Sequence, residues 1–247
     1  MNRVGMRRGL LSALVLVTAT VGLVAVGFVG QASAVSGVVP IASGSQSVNP
    51  NKSITANVTT AVPVGDTVVV SVATGTFTTT APGCSDSTLA NTYTVVADKN
   101  TGSGRLFVCT STLTTPLTTS DTITATYPAF SGLSVITAIA VCGPFAACFT
   151  GGYTGPVSTN AGSNPAVSSG SVTVGDTFLV GVVAHSNVST FAADPGWNVV
   201  GEHSGGSGAA KRTVTPMWMD VTGGTFNATG TLSGSGFWQA VIITFST

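Results

Sequence analysis

Thr122-Ile123-Thr124-Ala125-Thr126-Tyr127 is the stretch that decides the fold. Successive side chains of an extended chain point to opposite faces, so Ile123, Ala125 and Tyr127 share one face and the three threonines the other. A helix would need its apolar residues three and four apart; here they recur every second position. Outward from it lie more β-branched runs: Thr67-Val68-Val69-Val70-Ser71-Val72, Tyr93-Thr94-Val95-Val96, Ser134-Val135-Ile136-Thr137-Ala138-Ile139 and Gln239-Ala240-Val241-Ile242-Ile243-Thr244. Such residues fit a pleated, packed surface. Turn chemistry punctuates them at Val64-Gly65-Asp66, Asn100-Thr101-Gly102-Ser103-Gly104, Asp194-Pro195-Gly196, Gly205-Gly206-Ser207-Gly208 and Gly223-Gly224. No dozen-residue window carries a capped helical stripe. The pattern predicts an all-β fold, an antiparallel β-sandwich or jelly roll.

The sandwich is built from two similar halves. Val64-Gly65-Asp66-Thr67 recurs as Val174-Gly175-Asp176-Thr177, and Tyr93-Thr94-Val95-Val96 as Trp197-Asn198-Val199-Val200. Asp121-Thr122-Ile123-Thr124-Ala125-Thr126 recurs as Gly224-Thr225-Phe226-Asn227-Ala228-Thr229, and Asn49-Pro50 as Asn164-Pro165. The offsets drift along the chain through 115, 110, 104 and 103, as loops of unequal length would produce. We place the repeats at about 48–142 and 163–247. One sandwich of two halves is favoured over two sandwiches in tandem, because the segment between them carries Phe145, Phe149 and Tyr153 and is no clean polar spacer.

Only 6% of the 247 residues are charged, against about 25% in an ordinary soluble domain. Nucleic-acid binding needs many Lys and Arg for phosphate neutralisation, so it is excluded. With 43% hydrophobic residues, charge-driven disorder is excluded too. Arg3, Arg7 and Arg8 precede an apolar run over 10–29, and Ala32-Ser33-Ala34 supplies small residues where a signal peptidase cuts. Residues 1–34 therefore read as a signal peptide, with membrane attachment only if that segment stays uncleaved. The expected location is secreted or cell-surface. Removing the leader takes three of the eight basic residues, so the mature chain carries five against eight acids.

The stretch Gly65-Asp66-Thr67-Val68-Val69-Val70, with Ser85-Asp86-Ser87, Asn91-Thr92-Tyr93-Thr94, Gly104-Arg105 and a strand near Ala138, resembles a broad, mostly uncharacterised group of secreted bacterial β-sandwich proteins common in actinobacteria. The resemblance covers most of residues 60–247 through short motifs. It implies an extracellular jelly-roll-like fold and brings no shared active site. Cys84 and Cys142 depart from the pattern, in keeping with added disulfides.

Four cysteines in an exported chain read as two disulfides with three connectivities. Cys142 and Cys148 flank a short loop turned by Gly143-Pro144, which pairs them and leaves Cys84 with Cys109. Their spacing is not that of paired C-x2-C ligands and no histidine is adjacent, so no metal site or cofactor is expected. His185, Asp194, Glu202 and His203 form the most reactive-looking group. Adjacent Glu202 and His203 would point to opposite faces of a strand, and the four read as exposed loop residues rather than an acid–base site. Asp66 and Asp176 read as turn residues. Trp197 and Trp238 read as core, whereas Trp218, between Met217 and Met219, can face outward and stack a sugar ring with help from Tyr153. Thr122, Thr124 and Thr126 read as an ordinary solvated strand face, and sequons fall at Asn51, Asn57, Asn187 and Asn227.

Residues 35–47 form an uncharged, extended N-terminal arm ahead of the repeats. It reads as a first edge strand or, more sharply, as an arm donated to a neighbouring sandwich, since main-chain pairing needs no charge. The function expected is that of a non-enzymatic structural or adhesive surface protein, a filament subunit in its most specific form. The alternatives are a carbohydrate-binding module using Trp218 and Tyr153, or a secreted hydrolase centred on His185 and Glu202. The expected partners are another copy, through edge strands or the arm, and a polysaccharide.

Overall fold

The computed structural model describes residues 37–75, 80–142, 153–187 and 189–246, with side chains placed for all of these except 48–51, 130–131, 142, 153–156, 176 and 246. The expected leader lies outside the described residues. So do Cys148, the loop it would close, and the side chains of Cys142 and Tyr153.

In chain order the strands are β1 (Gly37–Asn57), β2 (Thr67–Thr74), β3 (Gly83–Asp86), β4 (Thr94–Thr101), β5 (Gly104–Thr112), β6 (Thr122–Cys142), β7 (Tyr153–Gly162), β8 (Ala166–Ser186), β9 (Phe191–Ala193), β10 (Asn198–Val199), β11 (His203–Gly205), β12 (Arg212–Leu232) and β13 (Trp238–Ser246). The one helical element among the described residues is a 3-10 turn at Gly208–Ala210. Every pairing between these strands is antiparallel. One sheet runs β1-β6-β2-β5-β4, with β3 on β6; the other runs β7-β13-β8-β12-β10, with β9 and β11 on β12. The sequence repeat is thus a topological one. β2 and the Thr177 end of β8 are both third in their path; Gly65-Asp66 forms a turn before β2, but Asp176, read from the sequence as a turn residue, lies within the unbroken β8, opposite Thr222.

Twenty-one extended residues would span roughly 70 Å if straight. The 21-residue strands β1, β6, β8 and β12 therefore have to bend. β1 turns back on itself at a register break between Val48 and Asn51, so that Ala42 pairs with Val58. Gly223 and Gly224 allow the corner in β12, with φ of 121° and 134° that side-chain-bearing residues rarely adopt. Each half consequently has a main sheet and a smaller outer layer. In the first half the outer layer is residues 51–57, 122–130 and β3; in the second it is the β8 and β12 arms paired with each other and with β9.

Three cores fill the spaces between layers. Val68, Val70 and Val72 of β2 join Phe107, Ile136, Ile54, Ile123 and Tyr127 in the core of the first half. The alternate residues Val69 and Ala73 turn the other way, toward Leu106, Ile139, Phe178, Val182, Val241 and Phe245, in a core shared by the two main sheets. Leu179, Val183, Met217, Trp238 and Ile242 fill the third, inside the second half. β2 shows no polar alternation because both of its faces are covered. Each fully buried Val or Phe adds about 1.5–3 kcal/mol, against a few tenths for an exposed cross-strand pair such as Thr55 with Thr124. The cores, not the threonine ladders, hold the fold.

The segment expected as an N-terminal arm is built into the molecule. From Gly37 on it is β1, paired with β6 on both sides of a bulge at Ile41, and Ile41 is fully buried. The halves also meet where Gly205 of β11 passes β1 so closely that a Cβ there would lie 2.4 Å from that of Ser45.

Candidate functional site

Asp86 and Asn91 come together in a structural network. Asn91, almost fully buried, donates from Nδ2 to Asp86 Oδ2 (2.8 Å) and to the Thr115 carbonyl (3.0 Å). Its Oδ1 accepts the N–H groups of Thr114 and Thr115, both at 2.9 Å. Asp86 in turn accepts from the Thr88 backbone (3.0 Å) and hydroxyl. Burial, with the charge of Asp86 added to it, pushes the neighbouring Tyr93 hydroxyl up. Every side-chain oxygen and nitrogen of Asn91 is thus engaged, and the network ties the loop after β3 to the loop after β5. Next to it, Asp121 accepts from the Thr118 N–H (2.8 Å) and from the hydroxyls of Thr118 and Ser87 (both 2.7 Å), which hold its carboxyl below the usual range. Arg105, 2% exposed, pairs with Asp98 through two of its nitrogens and gives a third to the Thr80 carbonyl.

Cys84 and Cys109 form a disulfide, as expected from the sequence. It joins β3 in the outer layer to β5 in the main sheet, across the core of the first half.

The candidate acid–base residues divide between the two faces of the second main sheet. Thr213 faces His185 across β8 and β12, and Ser204 faces Thr213 across β11. On this face Ser204 Oγ bonds Thr213 Oγ1 (2.8 Å) and Thr215 Oγ1 donates to Glu202 (3.0 Å). His203 stands opposite Val214 and so on the other face, the separation from Glu202 that a strand demands. Asp194 sits beside Thr229, on the outer arm of β12. His185 is not in an exposed loop: β8 runs on to Ser186, and His185 is 3% exposed. Neither ring nitrogen has a hydrogen-bond partner among the described residues. Burial lowers the pKa of His185, helped by the charge of Lys211 and opposed by Glu202 and the Ser186 backbone.

An unpartnered buried imidazole costs free energy that an apolar side chain of similar size would not. His185→Leu is therefore expected to stabilise the fold by about 1 kcal/mol near neutral pH. The folded pKa lies below the unfolded one, so stability falls as pH drops through the ordinary histidine value. The variant should lack this loss, a difference that urea denaturation at pH about 5 and about 7.5 would reveal.

Asp66 carries the opposite sign. It opens β2, is fully buried, and burial pushes its carboxyl up to about 6. Stabilisation by the neutral acid is complete below the unfolded pKa and lost as pH rises through the folded one. Asp66→Asn should gain about 1–2 kcal/mol over the natural chain between pH about 4 and about 7. Paired denaturation curves measure this; a constant difference across that range would contradict it.

Trp218 is half-buried and stacks on Phe178, with ring centroids 5.6 Å apart, against the shared core. Met217 faces the opposite core. Trp238 is buried and donates to the Asn164 carbonyl (2.9 Å); Trp197, half-buried, donates to that of Asn227 (3.2 Å). The side chain of Tyr153, the expected helper of Trp218, is outside the described residues. Gln239, a polar residue on the inner face of β13, spans the two halves by donating to the carbonyls of Lys99 (2.9 Å) and Gly104 (2.7 Å). Its signal in the sequence was a glutamine sharing a face with Val241 and Ile243. Among the described residues no group of three or more His, Cys, Asp and Glu is gathered as metal ligands would be. No described helix is long and apolar enough to cross a membrane. The chain matches no family model, no curated protein and no solved structure in comparisons with each.

Proposed function

We propose that the mature chain is exported and serves as a non-catalytic structural or adhesive protein of the extracellular surface, associating with further copies of itself. The observation that carries this reading is how several of its buried polar and charged groups are used. Buried Asp86, Asn91 and Arg105, the last through exposed Asp98, pin loops and strands to one another. A disulfide adds a covalent tie suited to an oxidising exterior.

Self-association is assigned to the edge of β1, which ends its hydrogen-bonded path. β4 at the opposite edge carries Asp98 and Lys99, and β7 begins with a proline at its fourth residue, Pro156; both devices discourage pairing. Residues 43–48 of β1, beyond the bulge after Pro40 and the bridge from Ala42 to Val58, have neither charge nor proline. Sedimentation velocity of residues 35–247 should show concentration-dependent oligomers. Ser43→Lys with Ser47→Lys, at exposed positions of that edge, should return it to monomer. A natural chain that stays monomeric at every concentration, or oligomers indifferent to the lysines, would overturn the assignment.

A further inference from the structure

Two clefts open where the halves meet at one end of the shared core, and they have Ser103 and Arg212 in common. One, beside Phe237, has a volume of about 20 Å³, and the other, between Gly102 and Leu133 of the first half and Ala210 of the second, about 260 Å³. Arg212 begins β12, opposite Ser186 of β8. Its guanidinium touches two carbonyls, Lys211 at 3.2 Å and Ser103 at a long 3.4 Å. No carboxylate lies within ion-pair distance of it among the described residues, where the ion pair is that of Arg105 with Asp98. Burial lowers its pKa, yet arginine keeps its proton, so a partly desolvated cation faces the cleft without a counter-charge. Lys211 adds a second positive charge beside it. These are two of only five basic residues beyond the leader. Glu202, which precedes it by ten residues, is held by Thr215 on the opposite face of β12.

Phe237 supplies the second half of the argument. It is 56% exposed, the one aromatic among the large apolar side chains left open to solvent in the described residues. An open aromatic ring next to a cation offers an apolar platform for a sugar ring and a clamp for an oxyanion upon it. The hydroxyls of Thr101 and Ser103 line the same cleft. At about 20 Å³ this cleft has room for a single oxyanion group beside Arg212 and not for a sugar ring, which is left to the exposed face of Phe237 at its mouth.

We infer that this cleft binds an acidic glycan, with Arg212 holding a carboxylate or sulfate and Phe237 the ring that bears it. The inference does not depend on self-association through β1. Affinity electrophoresis of residues 35–247 in gels containing polygalacturonate, dextran sulfate or neutral dextran tests it. At least one acidic polymer should retard the protein and neutral dextran should not; whichever acidic polymer acts identifies the anion as carboxylate or sulfate. Arg212→Gln should weaken retardation at least ten-fold and Phe237→Ser several-fold. Lys52→Gln, which removes the same charge from an exposed site elsewhere, should leave it unchanged. Because Phe237 is exposed, its variant decides the matter even if the arginine variant fails to fold. Lack of retardation by both acidic polymers, or equal losses in the Arg212 and Lys52 variants, would overturn the inference.

Discussion

Phe245→Ala is expected to lower the stability of the folded chain by about 4 kcal/mol, the middle of the range for a large aromatic removed from a core. Phe245 is fully buried in the last strand, where its ring meets Phe178 at 6.3 Å between centroids. It belongs to one core with Val180, Ile243, Val141 and Val69, to which both main sheets contribute side chains. Sheets already hydrogen-bonded to their neighbours cannot collapse into such a gap without breaking register. At about 2–4 °C per kcal/mol for a chain of this size, the midpoint should fall by roughly 8–16 °C. Thermal unfolding followed by circular dichroism measures it, and a shift of only a degree or two would mean that the sheets do not share this core.

Replacing Cys84 and Cys109 together by serine should cost about 4–5 kcal/mol. The bridge closes a loop with a sequence separation of 25, for which the loss of chain entropy in the unfolded state gives about 3.5 kcal/mol. Cys109 is fully buried beside Val70, Phe107 and Ala125, so a serine hydroxyl there adds a desolvation penalty of about 1 kcal/mol or more. The second half has no disulfide among its described residues. Its outer layer is fastened instead by Trp238 and Trp197, whose indole N–H groups bond to backbone carbonyls. Reduction of the natural protein should therefore destabilise the first half at its source. Hydrogen exchange would show protection falling first at β3 and the outer arm of β6, and a uniform loss over both halves would contradict that order.

Much of this architecture was legible in the sequence. The alternation in Thr122-Ile123-Thr124-Ala125-Thr126-Tyr127 reports a strand with one covered face, and Ile123, Ala125 and Tyr127 are indeed buried. The Gly-Asp-Thr repeat marks equivalent strands of two sheets with the same order. Less legible was the number of layers. A run such as Val68-Val69-Val70 records that both faces are covered but not by what, and the covering layers come from elsewhere in the chain. The same ignorance affected single residues. Met217-Trp218-Met219 cannot reveal which face is the wet one when both faces of β12 meet a core, and Trp218 settles against Phe178. His185 looked like the end of a strand because a polar residue usually marks one, yet pairing with Thr213 and Trp238 carries β8 past it. The Arg212 cleft depends on two segments more than a hundred residues apart in sequence, Ser103 and Arg212, and no local pattern announces that.

The central claim is that two repeated halves, each with a main sheet and an outer layer, are fused by a shared core into one folding body. Differential scanning calorimetry of residues 35–247 tests it most directly, with Phe107→Ala reporting on the first-half core and Phe245→Ala on the shared one. The account predicts a single transition whose calorimetric and van't Hoff enthalpies agree, displaced downward as a whole by either substitution. Two resolved transitions, with Phe107→Ala moving one and leaving the other in place, would contradict it.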